Sequence, residues 1–207
     1  MQMTAPTPAD HRSAEILALV RQAFVDKGFD GASMQDLART AGMSVGNVYR
    51  YFPSKAAIIQ ALITADHDEM RAAFATILQS PHPMAALRQM IHLRVATQCG
   101  VKDTTLWAEI DAAARHNPQV GAAVQHMSAA VSDALCAVFA AETGLTLKQA
   151  TDRHSAAAAF IMVLFKAASD LHPNPDVNSS ELISMIIRTI DQTLDDVATS
   201  APSDRKA

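Results

Sequence analysis

The sequence predicts an all-α fold, and three observations support this prediction. Apolar residues make up 49% of the 207 positions, but aromatic residues only 5%. Alanine, the strongest helix former, is abundant, whereas glycine and proline are sparse, with 7 and 9 residues. Most of the glycines and prolines lie between segments in which apolar residues recur every three or four positions, as on a helix that buries one face. A chain of this length can bury a core and hold one or two domains.

Breaks and capping signals set the helix boundaries. Residues 1–11 have few apolar anchors, so we expect a mobile arm there. Gly28, in the left-handed conformation, should end the first helix as in a Schellman cap. The chain should then form about nine helices in all, at about 12–26, 33–41, 44–52, 54–79, 84–99, 103–115, 117–142, 146–171 and 179–200.

Residues 33–55 have the pattern of a helix-turn-helix, with the sequence SMQDLARTAGMSVGNVYRYFPSK. Ser33 and Asp36 form a capping box that starts one helix, and Gly42 can take the positive φ that a tight turn requires. Ser44 can cap a second helix. Its buried side is Val48 and Phe52, and its other side carries Asn47, Tyr49, Arg50 and Tyr51. Because the second helix of this motif enters the major groove, the pattern indicates a DNA-binding protein.

The helices after residue 80 differ in how clearly their sequences show a single buried face. The seventh has a regular apolar stripe in steps of three and four, formed by Val120, Val124, Met127, Val131, Leu135 and Val138. The last two helices carry apolar residues too widely for a single buried face. We therefore expect part of their surface to be buried by self-association.

From Ile16 to Leu62 the chain resembles the amino-terminal domain of the tetracycline-repressor (TetR) family of one-component transcriptional regulators. The resembling stretches are ILALVRQAFVDKGFDGAS, MQDLARTAGMSVGNVYRYF and PSKAAIIQALI. The match includes the turn F-x-x-K-G-F and the trailing YxYFPSK, so it is more specific than a helix-turn-helix pattern alone. The resemblance implies a three-helix DNA-binding domain at 1–62 and a helical ligand-binding and dimerisation domain at 63–207.

The resemblance also implies DNA-binding roles for nine residues. Ser33 and Gln35 would face phosphates, with a base as the alternative partner of Gln35, and Lys55 would bind a phosphate near the start of the fourth helix. Arg50 is expected to read a guanine, because a guanidinium matches the two acceptors of that base. The others would lie at the groove or on phosphates: Val45, Gly46, Asn47, Tyr49 and Tyr51. For each of the nine, the alternative is a surface group without a DNA contact. Arg50 and Tyr51 depart from the commoner family pattern, which leaves the operator sequence open.

Family members usually act as homodimers on pseudo-palindromic operators and release the DNA when a small molecule binds, so we expect a repressor with an apolar or amphipathic effector. The interface would use the last two helices, with Phe160, Leu164, Ile183, Ile187, Ile190 and Leu194. Candidates for effector contacts are Met90, Leu93, Trp107, Ile110, Asp111, Met127 and Phe139, although each is more simply interpreted as a core residue.

Charge gives only modest support for DNA binding. The formal net charge is −4, and residues 1–62 hold six Lys or Arg against five Asp or Glu. Local placement matters more than this near-neutral sum, since Arg39, Arg50 and Lys55 fall in the helix-turn-helix or just after it. We expect binding to depend on two linked half-sites rather than on a broad basic surface.

Other function classes find little support in the sequence. No apolar run reaches the length of a membrane span, and the N-terminus lacks the features of a signal peptide, so we expect a cytoplasmic protein. Cys99 and Cys136 are expected to be reduced core thiols rather than a redox switch. The eight histidines lack metal-binding spacings and no catalytic motif appears, so we expect no metal, cofactor or catalysis. Two alternatives stay open, namely a helical enzyme or cofactor-binding protein and a DNA-binding dimer without a ligand.

Overall fold

The computed structural model describes residues 8–98, 103–171 and 176–200. Within these ranges the chain forms nine α-helices and no strand, which confirms the predicted all-α class. The helices are α1 (Pro8–Gly31), α2 (Met34–Thr40), α3 (Val45–Tyr51), α4 (Lys55–Leu78), α5 (Pro83–Gln98), α6 (Asp103–His116), α7 (Pro118–Thr143), α8 (Leu147–Ser169) and α9 (Ser179–Thr199). Because α1 begins at Pro8, the last residues of the expected arm belong to a helix, and its first seven lie outside the described ranges.

The chain divides into two compact units. The first contains the described residues up to Asp66 together with Thr105–Gln125, and the second contains the rest. The boundary in α4 falls four residues beyond the limit predicted at 62. The sequence did not predict that most of α6 and the start of α7 belong to the first unit, because helical periodicity shows that a helix has a buried face but not which partner covers it.

In the first unit, the core is built around the helix-turn-helix. α1 supplies Ile16, Val20 and Phe24, none of which has any exposed surface. The other helices add Leu37, Ala38, Val48, Ile58, Ile59 and Leu62, all nearly or fully buried. Full burial of one such large aliphatic or aromatic side chain contributes about 1.5–3 kcal/mol, so this core fixes how α3 is presented. An ion pair between Arg21 and Asp66 also joins α1 to α4.

The core of the second unit contains the inward face of α9. Ile186, Ile190, Leu194 and Val197 follow one another at steps of four, four and three and pack with residues of α5 and α8. Ile190 and Leu194 have 0% of their surface exposed. These two predicted interface residues are therefore core residues with no surface to offer a second copy. The prediction assigned them to the interface because α9 has two apolar faces, and the sequence pattern does not say which one turns inward.

One described helix, α7, is long and apolar enough by composition to cross a membrane. A single helix of this kind is weak evidence for a membrane span, because core helices of other proteins meet the same criteria. α7 contributes Leu135, Val138 and Phe139 to the core of the second unit. Cys136, on the same helix, is buried as predicted, and burial raises the pKa of its thiol. Cys99 lies outside the described residues.

Candidate DNA-binding site

The start of α2 has the predicted capping box. The Ser33 hydroxyl oxygen accepts a hydrogen bond from the N–H of Asp36 at 3.1 Å, and the Asp36 carboxylate accepts one from the N–H of Ser33 at 3.1 Å. The Ser33 hydroxyl also donates to that carboxylate at 2.6 Å. Its hydrogen is therefore used within the cap, and the phosphate contact expected of Ser33 would require it to turn away from Asp36.

Asp36 also binds two basic side chains. Its carboxylate lies 2.5 Å from Lys27 Nζ and 2.6 Å from the Arg39 guanidinium. The hydrogen bond from Lys27, followed by those from Ser33, holds the pKa of Asp36 well below its usual range, so the carboxylate stays ionised at neutral pH. Arg39, which the sequence analysis counted among the basic residues near DNA, is thus partly neutralised by Asp36.

The turn between α2 and α3 is a complete Schellman motif. The N–H of Gly42 donates to the carbonyl of Arg39 at 3.1 Å, and the N–H of Met43 donates to the carbonyl of Ala38 at 2.9 Å. Gly42 has φ 65°, as the sequence predicted. A Cβ at this position would meet no atom within 4 Å, so the turn needs glycine for its backbone conformation and not for space.

The helix α3 presents its polar side chains to solvent. The Ser44 hydroxyl caps it by accepting the N–H of Asn47 at 3.3 Å, and Val48 is fully buried beneath it. Among the predicted DNA-binding residues, Ser33, Gln35, Gly46, Tyr49 and Arg50 are exposed, whereas Val45, Asn47, Tyr51 and Lys55 are half-buried. The buried and outward sides of α3 are therefore those that the sequence predicted.

Arg50 lies against its neighbour Tyr51. Its guanidinium carbon is 5.2 Å from the centre of the Tyr51 ring, and one guanidinium nitrogen is 3.4 Å from the Tyr51 hydroxyl oxygen. A cation over an aromatic face is attracted by the ring quadrupole. This contact uses one of the five N–H groups of Arg50, so the side chain is held in place while several donors stay available.

The break near the end of α1 differs from the predicted one. Gly28 has φ 71° and ψ 168°, which lies outside the left-handed helical region in a range that essentially only glycine occupies. A Schellman cap would direct the N–H of Phe29 back to a carbonyl of α1. Instead, this N–H donates to the Glu109 carboxylate of α6 at 2.7 Å. The Schellman prediction at Gly28 was wrong because this acceptor comes from 80 residues further along the chain.

Lys55, the first residue of α4, contacts the same segment. Its Nζ donates to the carbonyl of Phe29 at 2.7 Å and to that of Asp30 at 3.4 Å, and it lies 4.7 Å from the centre of the Phe29 ring. An ammonium has three N–H donors, so a phosphate can still be bound. Lys55 was predicted from the sequence, whereas Glu109 was not, because no local motif gives a signal for it.

The expected effector residues fall in both units. Trp107, Ile110 and Asp111 belong to the first unit, and Met90, Leu93, Met127 and Phe139 to the second. Met90 and Phe139 pack in the core of the second unit, whereas 63% of Leu93 is exposed. Ile110 is fully buried. The assignment of these seven residues to effector contacts therefore stays a prediction.

The predicted interface residues also differ in burial. Phe160 is 46% exposed, whereas Leu164, Ile183 and Ile187 are half-buried against the core of the second unit. Val163, which was not among the predicted interface residues, is 63% exposed. Together these exposed positions form an apolar ridge along α8, which we call the α8 stripe: Ala156, Ala159, Phe160, Val163 and Ala167. Apart from the adjacent Ala159 and Phe160, neighbouring members are three or four residues apart, which places the stripe on one side of the helix.

Comparison with known proteins agrees with this geometry. Residues 16–62 match the model of the family described as bacterial regulatory proteins, tetR family. The HTH-type transcriptional regulator UidR of Escherichia coli K12 is 29% identical over 127 residues, which cover 61% of this chain and 64% of UidR. The match thus spans less than two thirds of that relative.

Solved structures share the fold over most of the chain. Salmonella enterica GusR has a TM-score of 0.71 and 23% identity, with 93% of this chain and 98% of GusR covered. The structure of AibR in complex with isovaleryl coenzyme A and operator DNA has a TM-score of 0.63 and 15% identity, covering 86% of this chain and 97% of AibR. The segment 16–62 of this chain is therefore similar to the helix-turn-helix domain of the tetR family of bacterial regulatory proteins.

Proposed function

We propose that the protein is a ligand-responsive transcriptional regulator, a repressor that binds a pseudo-palindromic operator as a homodimer and leaves it when a small apolar or amphipathic molecule binds. The observation that carries the proposal is α3, which is anchored by the fully buried Val48 and exposes Tyr49 and Arg50 on its outward side. A rigidly supported helix with outward polar side chains suits recognition of base edges in the major groove.

The glycine at position 46 supports close approach of the backbone to DNA. A Cβ there would meet no protein atom within 4 Å, so packing inside the protein does not require glycine. The residue stands in the first turn of α3, where backbone N–H groups lack partners within the helix and favour phosphate oxygens. We infer that Val45, Gly46 and Asn47 face the edge of the groove, while Gln35 and Tyr49 reach its phosphates.

The homodimer is supported by the α8 stripe. Its exposed apolar residues would be buried by a second copy, and its alanines would let two helices approach closely. A two-fold symmetric dimer supplies two copies of α3, and a palindromic operator presents two matching half-sites about 34–36 Å apart. Linking two DNA-binding units in one dimer raises the affinity for such an operator without any new contact.

Release by an effector is supported by the continuity of α4 and by a structural relative. α4 begins with Lys55 in the first unit and contributes Phe74 and Ile77 to the core of the second. AibR has been crystallised in complex with isovaleryl coenzyme A and operator DNA. We infer that this chain likewise binds a small molecule with an apolar part, and that Met90, Met127 and Phe139 of the second unit are candidates for its contacts.

Enrichment of duplexes from a random double-stranded DNA library tests the DNA-binding proposal. We expect the full-length protein to select a pseudo-palindrome whose half-sites are one helical turn apart. The matched control is Val48→Asp, which places a charge beneath α3 and should abolish enrichment. If the wild-type protein enriches no sequence, or a site without two-fold symmetry, the proposal that a homodimer binds a pseudo-palindromic operator is wrong.

A thermal-shift screen against metabolites and drugs tests the effector proposal, because a bound ligand raises apparent stability by mass action. We expect a hit among apolar or amphipathic compounds that also weakens operator binding. A compound that stabilises the protein and leaves operator affinity unchanged would instead favour a regulator that does not respond to that compound.

A further inference from the structure

The backbone of Phe29 is held at both its N–H and its carbonyl by charged side chains. Its N–H donates to the Glu109 carboxylate at 2.7 Å, and its carbonyl accepts from Lys55 Nζ at 2.7 Å. Hydrogen bonds with one charged partner contribute about twice as much as neutral ones. A residue of α6 and the first residue of α4 are therefore joined through the backbone of a single residue, which lies near the end of α1 just after the break at Gly28.

The backbone at Gly28 is shaped around the Glu109 carboxylate. A Cβ added to Gly28 would lie 3.0 Å from Glu109 Oε2, and φ 71° with ψ 168° disfavours any residue with a side chain. The same oxygen, Oε2, accepts the N–H of Phe29. The glycine thus provides both the conformation and the space that this hydrogen bond needs.

The position of Lys55 Nζ depends on this arrangement. A lysine side chain is long and loses much of its rotamer entropy when it is fixed. Here the carbonyls of Phe29 and Asp30 and the face of the Phe29 ring hold the ammonium before any DNA binds. Because the ammonium is already held in this position, less side-chain entropy is lost when it binds a phosphate.

We propose that Glu109 is a positioning residue for DNA binding, because it fixes the backbone of Phe29 and, through the carbonyl of that residue, the ammonium of Lys55 where it meets a phosphate. This inference rests on the proposed function. Glu109 does not touch DNA in this arrangement. Its effect reaches DNA only through Lys55, and this property separates it from a residue that merely stabilises the fold.

Operator affinity in a double-mutant cycle tests the proposal. We expect Glu109→Ala to weaken operator binding about tenfold, since a lost hydrogen bond to a charged group has an effect of this order. Glu109→Gln should recover most of the affinity, because its amide oxygen can accept the same N–H. In the Lys55→Ala background, Glu109→Ala should change the affinity less than twofold. The matched control is Glu15→Ala, which removes an exposed carboxylate of the same unit that pairs with Arg12, and it should bind within twofold of wild type.

Additive losses in the cycle would overturn the proposal, as would a Gln variant that binds no better than the Ala variant. A second readout needs no DNA. The Phe29 amide should exchange its hydrogen about tenfold faster in Glu109→Ala than in wild type, and an unchanged exchange rate would overturn the contact itself. If wild-type protein binds no operator while the Phe29 amide responds as expected, the proposed function fails and the geometry of the Phe29 backbone stands.

Discussion

Arg50 and Lys55 carry the same charge in different surroundings. Arg50 is exposed on α3 with its guanidinium against Tyr51, whereas Lys55 Nζ is bound to backbone carbonyls at the start of α4. The planar guanidinium can bind both acceptors of a guanine, and the ammonium acts as a point charge on a phosphate. The two residues should therefore differ in what they contribute to recognition.

We predict that Arg50→Ala costs about 1–3 kcal/mol on the operator and relaxes base preference at one position of each half-site. Lys55→Ala should weaken binding to all sequences alike and reduce the dependence on salt concentration. Both follow from titrations with operator and random duplexes at several salt concentrations. An equal loss on both duplexes for Arg50→Ala would assign this side chain to a phosphate instead.

His154 is a buried ionisable residue of the second unit. Its ring packs edge-on against Phe139, and its Nε2 lies 3.3 Å from the Ser200 hydroxyl oxygen. That hydroxyl donates its hydrogen to the carbonyl of Val197 at 2.7 Å, so Nε2–H of His154 is the donor to Ser200. Burial, followed by the nearby charge of Arg153, lowers the pKa of His154, which favours the neutral ring.

The free energy of unfolding should therefore fall in mild acid. Above the ordinary histidine pKa of about 6.5, the ring is neutral in both states and contributes no pH dependence. As the pH falls below that value, the unfolded state takes up the proton first, so the folded state loses stability until the pH passes below the lowered pKa. Urea unfolding at pH 7.5 and 5.5 measures the difference in the free energy of unfolding between the two pH values. The substitution His154→Gln should reduce this difference, whereas His82→Gln, at an exposed position, should leave it unchanged.

At the scale of single elements, the helix-turn-helix was predictable because its signals are local. Ser33 with Asp36 and Ser44 with Asn47 lie within one helical turn of each other, and the Schellman turn at Gly42 spans six residues. The break at Gly28 was not predictable, because its acceptor lies on α6. Ile190 and Leu194 of α9 were assigned to the interface instead of the core for a related reason, since the choice between two apolar faces depends on which helices pack against them.

Two glycines of the helix-turn-helix should respond oppositely to alanine. Gly42→Ala forces a side chain onto φ 65° and should lower the free energy of unfolding by about 1–2 kcal/mol. Gly46→Ala sits in open space within a helix and should leave stability unchanged or slightly higher. The added methyl at position 46 should nevertheless weaken operator binding, because it would stand between α3 and the groove. Urea unfolding and operator titration of both variants measure these effects. Wild-type affinity in Gly46→Ala would contradict the close approach.

For the whole molecule, we predict dimerisation through the α8 stripe. Phe160→Asp and Val163→Asp place charges on its two largest exposed side chains and should give folded monomers, because neither side chain belongs to the core. Leu147→Asp is the matched control, since Leu147 is a 53% exposed apolar residue at the start of the same helix. Sedimentation equilibrium measures the oligomeric state. If Phe160→Asp and Val163→Asp remain dimers, the interface lies elsewhere.

An effector is expected to act on the assembled dimer by changing the distance between its two recognition helices. The two recognition helices must be about 34–36 Å apart to enter successive major grooves. A shift of a few Å in each copy of α3 would therefore move the helices out of line with the grooves. α4 is continuous from Lys55 to the core residues Phe74 and Ile77, and it can therefore transmit such a shift. Allosteric coupling is typically about 1–3 kcal/mol and must be reciprocal for binding equilibria. An effector that weakens operator binding by a given factor should itself bind more weakly, by the same factor, to the operator-bound dimer. Titrating the compound into protein with and without operator measures that factor, and identical affinities in the two titrations would exclude the compound as an inducer.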